Sequence, residues 1–300
     1  MQLAGLIFPV FVTGGKGVRE AIPHMPGIYR LSADTLVEET AAAYKQGITH
    51  FLIFGVPDGK DAGGTAAVCE DNLVARGIRA LREAVPEATL FSDVCLCAYT
   101  PHGHCGIVDE DSGEIKSRET LDALARMACT HAAAGVHYVC PSAMAQGQVR
   151  RIRSALDGAG HESTRIMGYS AKFVSCAYGP FRGIADSAPR FGDRRAYQLD
   201  PLDPDAAVAK IREDTEAGAD IVMIKPALWF LDVVRRVKEH TGRPLAVYNV
   251  SGEYAAVKCG AREGIWDERA VVSEIMSSFT RAGADYIITY HAKDIAQWMR

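Results

Sequence analysis

Short apolar segments alternate with amphipathic stretches along almost the whole chain. Eight segments have the length and composition of buried strands, and the stretches between them carry apolar residues at helical spacing. The predicted strands lie near 5–11, 50–55, 88–95, 137–141, 165–171, 221–225, 244–249 and 286–290. The predicted helices lie around 34–46, 69–84, 118–134, 145–158, 204–217, 228–240 and 266–282, with a last one from about 292.

A recurring phrase marks where helices end and strands begin. Ala-Gly-Ala-Asp occurs at 217–220 and at 282–285, directly before predicted strands, and related phrases stand at 46–49 and 134–136. Glycine ends the helix and an apolar strand follows, which is typical of parallel strands covered by helices. The pattern therefore predicts a single α/β domain over 1–300, a (β/α)8 TIM barrel. An open doubly wound sheet is the alternative, but no G-x-G-x-x-G follows the first strand.

Two long segments interrupt the regular spacing. They lie at about 96–117 and 172–203, and each follows a predicted strand. Loops that follow strands lie on the catalytic face of a barrel, so we expect both to build the site. The second segment is rich in glycine, proline and arginine, which favours a lid that closes over a carboxylate. A solvated basic loop is the alternative.

Two lysines end neighbouring predicted strands. Lys172 follows the fifth strand and Lys225 ends the sixth, so both would point into the mouth of a barrel. Two ammonium groups in a sheltered pocket depress each other's pKa, which leaves a neutral amine able to attack a carbonyl. The pair therefore indicates Schiff-base chemistry. Two solvent-exposed lysines on the rim are the alternative.

Three cysteines follow the third predicted strand with the spacing C-x-C-x7-C. These are Cys95, Cys97 and Cys105. Three thiols can bind one soft divalent ion, and zinc is the usual choice in a reducing cytosol. Because three protein ligands leave a fourth position open, the cluster indicates a catalytic site more than a structural one. Unliganded buried cysteines are the alternative.

Composition restricts the partners. The formal net charge is −4 and 48% of the residues are hydrophobic, which gives no bias towards nucleic acid or membrane. No apolar run reaches the roughly 18 residues that a membrane helix needs, and the N-terminus lacks a positively charged start. Eight cysteines without an export signal favour free thiols or metal ligands. We expect a cytoplasmic protein that acts on a small molecule.

Several motifs together resemble those of the 5-aminolevulinate dehydratase (porphobilinogen synthase) family. They follow the expected order over nearly the whole chain. The most specific are Ser170-Ala171-Lys172-Phe173, Tyr178-Gly179-Pro180-Phe181-Arg182, Phe191-Gly192-Asp193-Arg194, Lys225-Pro226 and Val250-Ser251-Gly252-Glu253-Tyr254. The resemblance implies a lyase that condenses two 5-aminolevulinate molecules to porphobilinogen, with loss of two waters, in tetrapyrrole (haem) biosynthesis.

The resemblance also implies how the first substrate is held. Lys225 would carry the Schiff base to the substrate that becomes the propionate side. Ser251 and Tyr290 would bind the carboxylate of that substrate.

For the second substrate, the resemblance implies a separate set of contacts. Lys172 would engage it, with Asp93 and Ser142 beside its amino group. The residues implied to bind its carboxylate under the lid are Arg182, Arg194 and Gln198. The three clustered cysteines match the zinc-dependent branch of the family, in which the metal assists the second substrate's carbonyl.

The sequence departs from the family pattern at several positions. Ala143 and Gln146 stand where the family usually shows aspartates, in Ser-Asp-Met-Met-Asp-Gly. Asn249 replaces a more usual glutamine or histidine, and Ala196 occupies a place where some members carry a cysteine for a second metal. We predict no metal at Ala196, and an allosteric magnesium ion is left undetermined. We expect a homo-oligomer, a dimer or larger. Because most of the N-terminal arm through which family members contact a neighbouring subunit is lacking, we do not predict the family's octamer.

Two other functions compete with this interpretation. A diverged paralogue would keep the lysines and the zinc but condense another amino-ketone, and the missing aspartates motivate it. A non-enzymatic regulatory or assembly subunit is the other alternative. Retention of both lysines and all three clustered cysteines argues against it.

Overall fold

A closed barrel of eight parallel strands forms the centre of the computed structural model, which describes residues 3–300. Pairing of the last strand with the first closes the sheet, with Leu6 opposite Ile287 and Ile7 opposite Ile288. The strands are β1 (Leu6–Thr13), β2 (Arg19–Ala21), β3 (Tyr29–Leu31), β4 (His50–Val56), β5 (Thr89–Val94), β6 (Tyr138–Pro141), β7 (Arg165–Lys172), β8 (Ile221–Lys225), β9 (Leu245–Asn249) and β10 (Tyr286–Thr289). The predicted (β/α)8 barrel is confirmed, and the open-sheet alternative is wrong because an open sheet leaves its two edges unpaired.

Helices lie between the barrel strands. They are α1 (Ala33–Lys45), α2 (Thr65–Val68), α3 (Leu73–Ala84), α4 (Ser117–Ala133), α5 (Gln148–Gly158), α6 (Gly179–Ile184), α7 (Pro204–Glu216), α8 (Leu231–His240), α9 (Ser251–Arg262), α10 (Glu268–Ala282) and α11 (Ala292–Trp298). Two 3₁₀ turns, Cys176–Tyr178 and Leu228–Phe230, precede α6 and α8. None of the helices in residues 3–300 has the length and hydrophobicity that a membrane crossing requires.

The barrel strands are buried on both faces, which explains why their sequences are continuous apolar runs. All residues of β8 and β9 are buried, and so are all but the first residue of β4 and of β7. One face of each strand fills the barrel interior and the other packs against the helices. The ends of the strands are therefore fixed by packing, which positions any side chain that follows them.

Five elements, β2, β3, α2, α6 and α9, were not predicted from the sequence. The antiparallel pair β2 and β3 extends the sheet beside β1, outside the closed barrel. The short helix α6 lies within the 172–203 insert, and α9 begins directly after β9. The apolar side chains of α9 are widely spaced between small residues, so its periodicity is weak. The clearest sequence signal for the start of α9 is Glu253, three residues after Val250. The Glu253 carboxylate accepts a hydrogen bond from the Val250 N–H and so caps the helix.

Candidate active site

The two lysines are direct neighbours across the β7–β8 pair. Lys172 and Lys225 are opposite each other in the strand register, and each ends its strand at the carboxyl edge of the barrel. Each residue is only 6% exposed. The structure therefore excludes the alternative of two rim lysines in solvent, and it brings both amines into one sheltered pocket.

Aromatic rings surround the Lys225 ammonium. Its Nζ lies 4.0 Å from the ring centre of Tyr248 and 5.2 Å from that of Tyr169. The rings of Phe181 and Tyr178 are at 5.3 and 5.5 Å. Burial lowers the pKa of Lys225 to about 7, and the positive charge of Lys172 adds to this shift. Near neutral pH a large share of this side chain is consequently a free amine.

The Lys172 side chain reaches from the end of β7 to the residue that follows β6. Its Nζ donates a 2.6 Å hydrogen bond to the backbone carbonyl of Ser142. Asp93, near the end of β5, faces both lysines, and its Oδ1 has no hydrogen-bond partner. Burial raises the pKa of Asp93 to about 6, against hydrogen bonding from Ser142 and the charges of the two lysines. A carboxyl group that changes protonation near neutral pH thus lies beside two amines.

The three cysteines converge as their spacing predicts. The Sγ atoms of Cys95, Cys97 and Cys105 all lie within 4.8 Å of one another, and all three residues are buried. Tetrahedral zinc with thiolate bonds of about 2.3 Å needs sulfurs roughly this close together, so the donor set fits the metal. Hydrogen bonds from Cys95 and Cys97 hold the pKa of Cys105 well below its usual value, and Arg194 adds to this effect. A thiolate is the form that binds a metal.

The lid brings polar groups that have incomplete hydrogen bonding. Arg194 is buried and donates through Nη2 to the carbonyls of Gly103 and Ser187, but its Nε has no partner. The Nε of Arg182 and both amide atoms of buried Gln198 also lack partners. Buried polar groups are normally paired, so this set suits an anionic ligand.

Ser251 and Tyr290 follow β9 and β10 at the carboxyl edge of the barrel. The Ser251 hydroxyl accepts a 3.0 Å hydrogen bond from the Phe181 N–H, which ties the start of α9 to α6. The Tyr290 hydroxyl lies 3.2 Å from that of Tyr248. Since Tyr248 also covers Lys225, these hydroxyls belong to the same side of the pocket as that lysine.

The positions of the missing aspartates differ in exposure. Ala143 is buried and Gln146 is exposed, and both line a groove of about 1080 Å³ beside Cys105. The lid residues Phe191 and Tyr197 form another wall of this groove. The exposed Ala196 lies there too, with no ligand group to offer a second metal.

A second group of metal-type side chains comes from α10 and the start of α11. Glu268, His291 and Asp294 lie close together, but the Lys258 ammonium is placed 2.5 Å from Glu268 and 2.7 Å from Asp294. The ammonium supplies the positive charge that these carboxylates attract. We therefore assign no metal to this cluster.

Sequence reasoning identified Tyr169 and Glu253 only as parts of motifs. Tyr169 is fully buried in β7 and contributes a ring to the pocket of Lys225. Glu253 is 2% exposed, and its carboxylate accepts three hydrogen bonds around the end of β9. Sequence spacing does not predict these contacts of Tyr169 and Glu253, because the contacts depend on which strands meet at the barrel mouth.

A closed (β/α)8 barrel with two buried lysines at adjacent strand ends, beside three clustered thiols, defines a barrel enzyme equipped for amine chemistry on a carbonyl compound. Comparison with known proteins specifies this class further. The family model described as delta-aminolevulinic acid dehydratase matches residues 1–298, and the chain belongs to that family.

Several relatives match the chain over nearly its full length. The delta-aminolevulinic acid dehydratase of Synechococcus elongatus is 48% identical over 298 residues, which cover 99% of this chain and 91% of the relative. That of Halalkalibacterium halodurans is 46% identical over 299 residues, which cover 100% and 90%. A crystal structure of the Toxoplasma gondii enzyme in complex with its reaction product porphobilinogen matches with a TM-score of 0.97 at 41% identity, covering 99% of this chain and 85% of that one.

Proposed function

We propose that this chain condenses two molecules of 5-aminolevulinate into porphobilinogen, with Lys225 and Lys172 as the imine-forming residues. The observation that carries the proposal is the placement of two buried lysines opposite each other on adjacent strands. Family membership and the product-bound relative support the same substrate. A single domain over residues 1–300 would contain the whole active site.

The first imine forms on Lys225. Its neutral amine attacks the keto carbon of one substrate, and the resulting carbinolamine loses water to give a C=N bond to Nζ. The rings of Tyr169, Tyr248 and Phe181 exclude solvent water, which protects the imine from hydrolysis. The hydroxyls of Ser251 and Tyr290 bind the carboxylate of this substrate.

The second substrate occupies the side of Lys172. The Lys172 amine engages its keto carbon, and Asp93 and Ser142 bind its amino group. Because the pKa of Asp93 lies at about 6, its carboxylate can accept a proton during the condensation and return it. Arg182 and Arg194, with the Gln198 amide, bind the second carboxylate under the lid. The unpartnered atoms of these three side chains support this assignment.

The three clustered cysteines would hold a zinc ion. Their buried sulfurs fit a tetrahedral site with one open position, and eight free cysteines suit a reducing compartment such as the cytoplasm. A bound zinc ion would supply Lewis acidity towards a substrate oxygen. Hydrogen bonds from Cys95 and Cys97 lower the pKa of Cys105, and the charges of Arg194 and Lys172 act in the same direction. The three cysteines would therefore hold the ion near Lys172.

The proposal includes a homo-oligomer, a dimer or larger. Large apolar side chains are exposed at Ile265 (69%) and Trp229 (58%), and contact between copies of the chain would bury them. Sedimentation of the purified protein over a range of concentrations would measure the assembly. A monomer at micromolar concentration would contradict this part of the proposal.

The decisive experiment combines product formation with chemical trapping. Purified protein is incubated with 5-aminolevulinate and zinc, reduced with borohydride, and analysed by mass spectrometry, while porphobilinogen is assayed in parallel. Product together with a reduced adduct on Lys225 is the expected result. An adduct without product would indicate a diverged paralogue that acts on another amino-ketone. The absence of both product and adduct would overturn the proposal. Lys116→Met, which changes an exposed lysine outside the pocket, is the control variant.

A further inference from the structure

The buried carboxylate of Glu253 plays no part in the mechanism described above. Glu253 is 2% exposed, and among residues 3–300 no ammonium or guanidinium group forms an ion pair with it. Its Oε1 accepts from the Leu228 N–H at 3.1 Å, and its Oε2 accepts from the Val250 N–H at 2.8 Å. The Asn249 amide donates to the same Oε2 at 3.0 Å. A helix cap needs only the bond to Val250. The other two bonds link Glu253 to the segment after β8 and to the end of β9.

The network continues through Asn249 into the next strand. Asn249 is fully buried, and its Oδ1 accepts a 3.0 Å hydrogen bond from the Thr289 hydroxyl. Thr289 Oγ1 in turn accepts from the His291 N–H at 3.2 Å. In its ionised form the Glu253 carboxylate only accepts, so Asn249 then turns its NH₂ towards Glu253 and its oxygen towards Thr289. The ionised form thereby fixes each donor and acceptor direction along the chain.

This hydrogen-bonded chain connects the ends of β8, β9 and β10. Each of its members lies close in sequence to a residue that binds the first substrate. Leu228 follows Lys225 by three residues, Asn249 is two residues before Ser251, and Thr289 directly precedes Tyr290. Three strand ends that pair through their backbones are therefore also joined through this network of buried side chains.

We propose that Glu253, Asn249 and Thr289 are positioning residues that fix Lys225, Ser251 and Tyr290 relative to one another for the substrate bound as an imine on Lys225. The inference rests on the proposed function, since it concerns the substrate side of Lys225. A bound substrate must reach the lysine and both hydroxyls at once, and small misplacement in such a site costs rate. Burial raises the pKa of Glu253 to about 7, and the three N–H donors act in the opposite direction.

Thr289 offers the cleanest test because its hydroxyl donates to Asn249 and is bonded neither to the Glu253 carboxylate that caps α9 nor to Lys225. Thr289→Val keeps the shape but removes the hydroxyl that donates to Asn249, and Thr289→Ser keeps the hydroxyl. We expect Thr289→Val to lower kcat/KM for porphobilinogen formation at least about tenfold and to slow borohydride-trapped imine formation on Lys225. Thr289→Ser should restore both to within about twofold. Thr40→Val is the control, since Thr40 is equally buried and its hydroxyl has no partner.

A double-variant cycle extends the test to the carboxylate. Glu253→Gln places an NH₂ group against an N–H donor, so it should lower kcat/KM more than Thr289→Val. Because both changes break one network, the double variant should be little worse than Glu253→Gln alone. Wild-type kcat/KM in Thr289→Val, with only a lower Tm, would overturn the inference, whether or not Glu253→Gln folds. Absence of product and of a Lys225 adduct in the wild-type protein would instead overturn the proposed function.

Discussion

The surroundings of Lys225 lower the pKa of its amine. Lys225 is enclosed by aromatic rings and lies beside Lys172, so its charged form loses hydration and meets another positive charge. Both effects act in the same direction and bring its pKa to about 7. Asp93, with its pKa at about 6, is altered in the opposite direction by the same burial. One pocket thus provides an amine and a carboxyl group that both exchange protons near neutral pH.

The pKa of Lys225 predicts how imine formation depends on pH. The neutral amine reacts, so trapping at Lys225 should increase as the pH rises through about 7. In Lys172→Met a neighbouring positive charge is lost, the pKa of Lys225 rises, and the midpoint should move to higher pH. Lys172→Arg retains the charge and should keep a midpoint nearer that of the wild type. The measurement is the rate of borohydride-trapped adduct on Lys225 against pH, and equal midpoints in both variants would contradict the prediction.

Loss of one clustered thiol should remove the metal. We expect Cys97→Ser to lower the zinc content from about one ion per chain to near zero after dialysis, because two thiolates make a much weaker site than three. Porphobilinogen formation should fall with it and lose its sensitivity to chelators. Cys69→Ser changes an exposed cysteine outside the cluster and should leave both unchanged. Elemental analysis of the two variants side by side is the measurement, and full zinc content in Cys97→Ser would refute the assignment.

At the scale of elements, the start of α9 joins the barrel to the lid. Ser251 accepts a hydrogen bond from α6, and Gly252 packs directly on the 3₁₀ turn at Cys176–Tyr178. A Cβ atom at Gly252 would lie 2.5 Å from the carbonyl oxygen and 2.7 Å from the Cα of Ala177. Backbone atoms cannot move aside as a flexible side chain does, so the close approach requires glycine.

This contact predicts a strong effect of Gly252→Ala. The added methyl group should push α9 and the 3₁₀ turn apart, displace Ser251, and raise KM for 5-aminolevulinate at least about tenfold. It should also lower the free energy of unfolding by about 1–3 kcal/mol, as overpacking does. Gly183→Ala in α6 is the matched control, because nothing lies within 4 Å of its added Cβ. Steady-state kinetics together with thermal unfolding would test the pair, and equal KM values would contradict the account.

At the scale of the whole molecule, stability depends on the barrel's buried strands. Leu52 in β4 is fully buried, whereas Leu202, which precedes α7, is 90% exposed. Leu52→Ala should lower the free energy of unfolding by about 2–5 kcal/mol, because it leaves a cavity in a packed interior. Leu202→Ala should change it by less than about 0.5 kcal/mol. Urea unfolding followed by circular dichroism would measure both, and a similar loss in the two variants would show that β4 is not packed as described.

The sequence pattern predicts much of the barrel architecture. Short apolar runs such as 221–225 predict strands that are covered on both faces. Eight such strands with helices between them predict a closed barrel. Lys172, Lys225 and the three clustered cysteines stood out because chemically reactive groups directly follow such strands. The helix α9 was missed, since its apolar side chains are spaced by small residues and its pattern is weak.

The sequence by itself therefore determined the barrel, its catalytic edge and the residue types that line it, because strand and helix periodicity are local properties of the chain. Only the tertiary structure decided which of those residues meet. The register that sets Lys172 opposite Lys225, the rings around that amine, and the chain from Thr289 through Asn249 to Glu253 join segments far apart in sequence. Such pairings are fixed by barrel closure and side-chain packing, which no local pattern records.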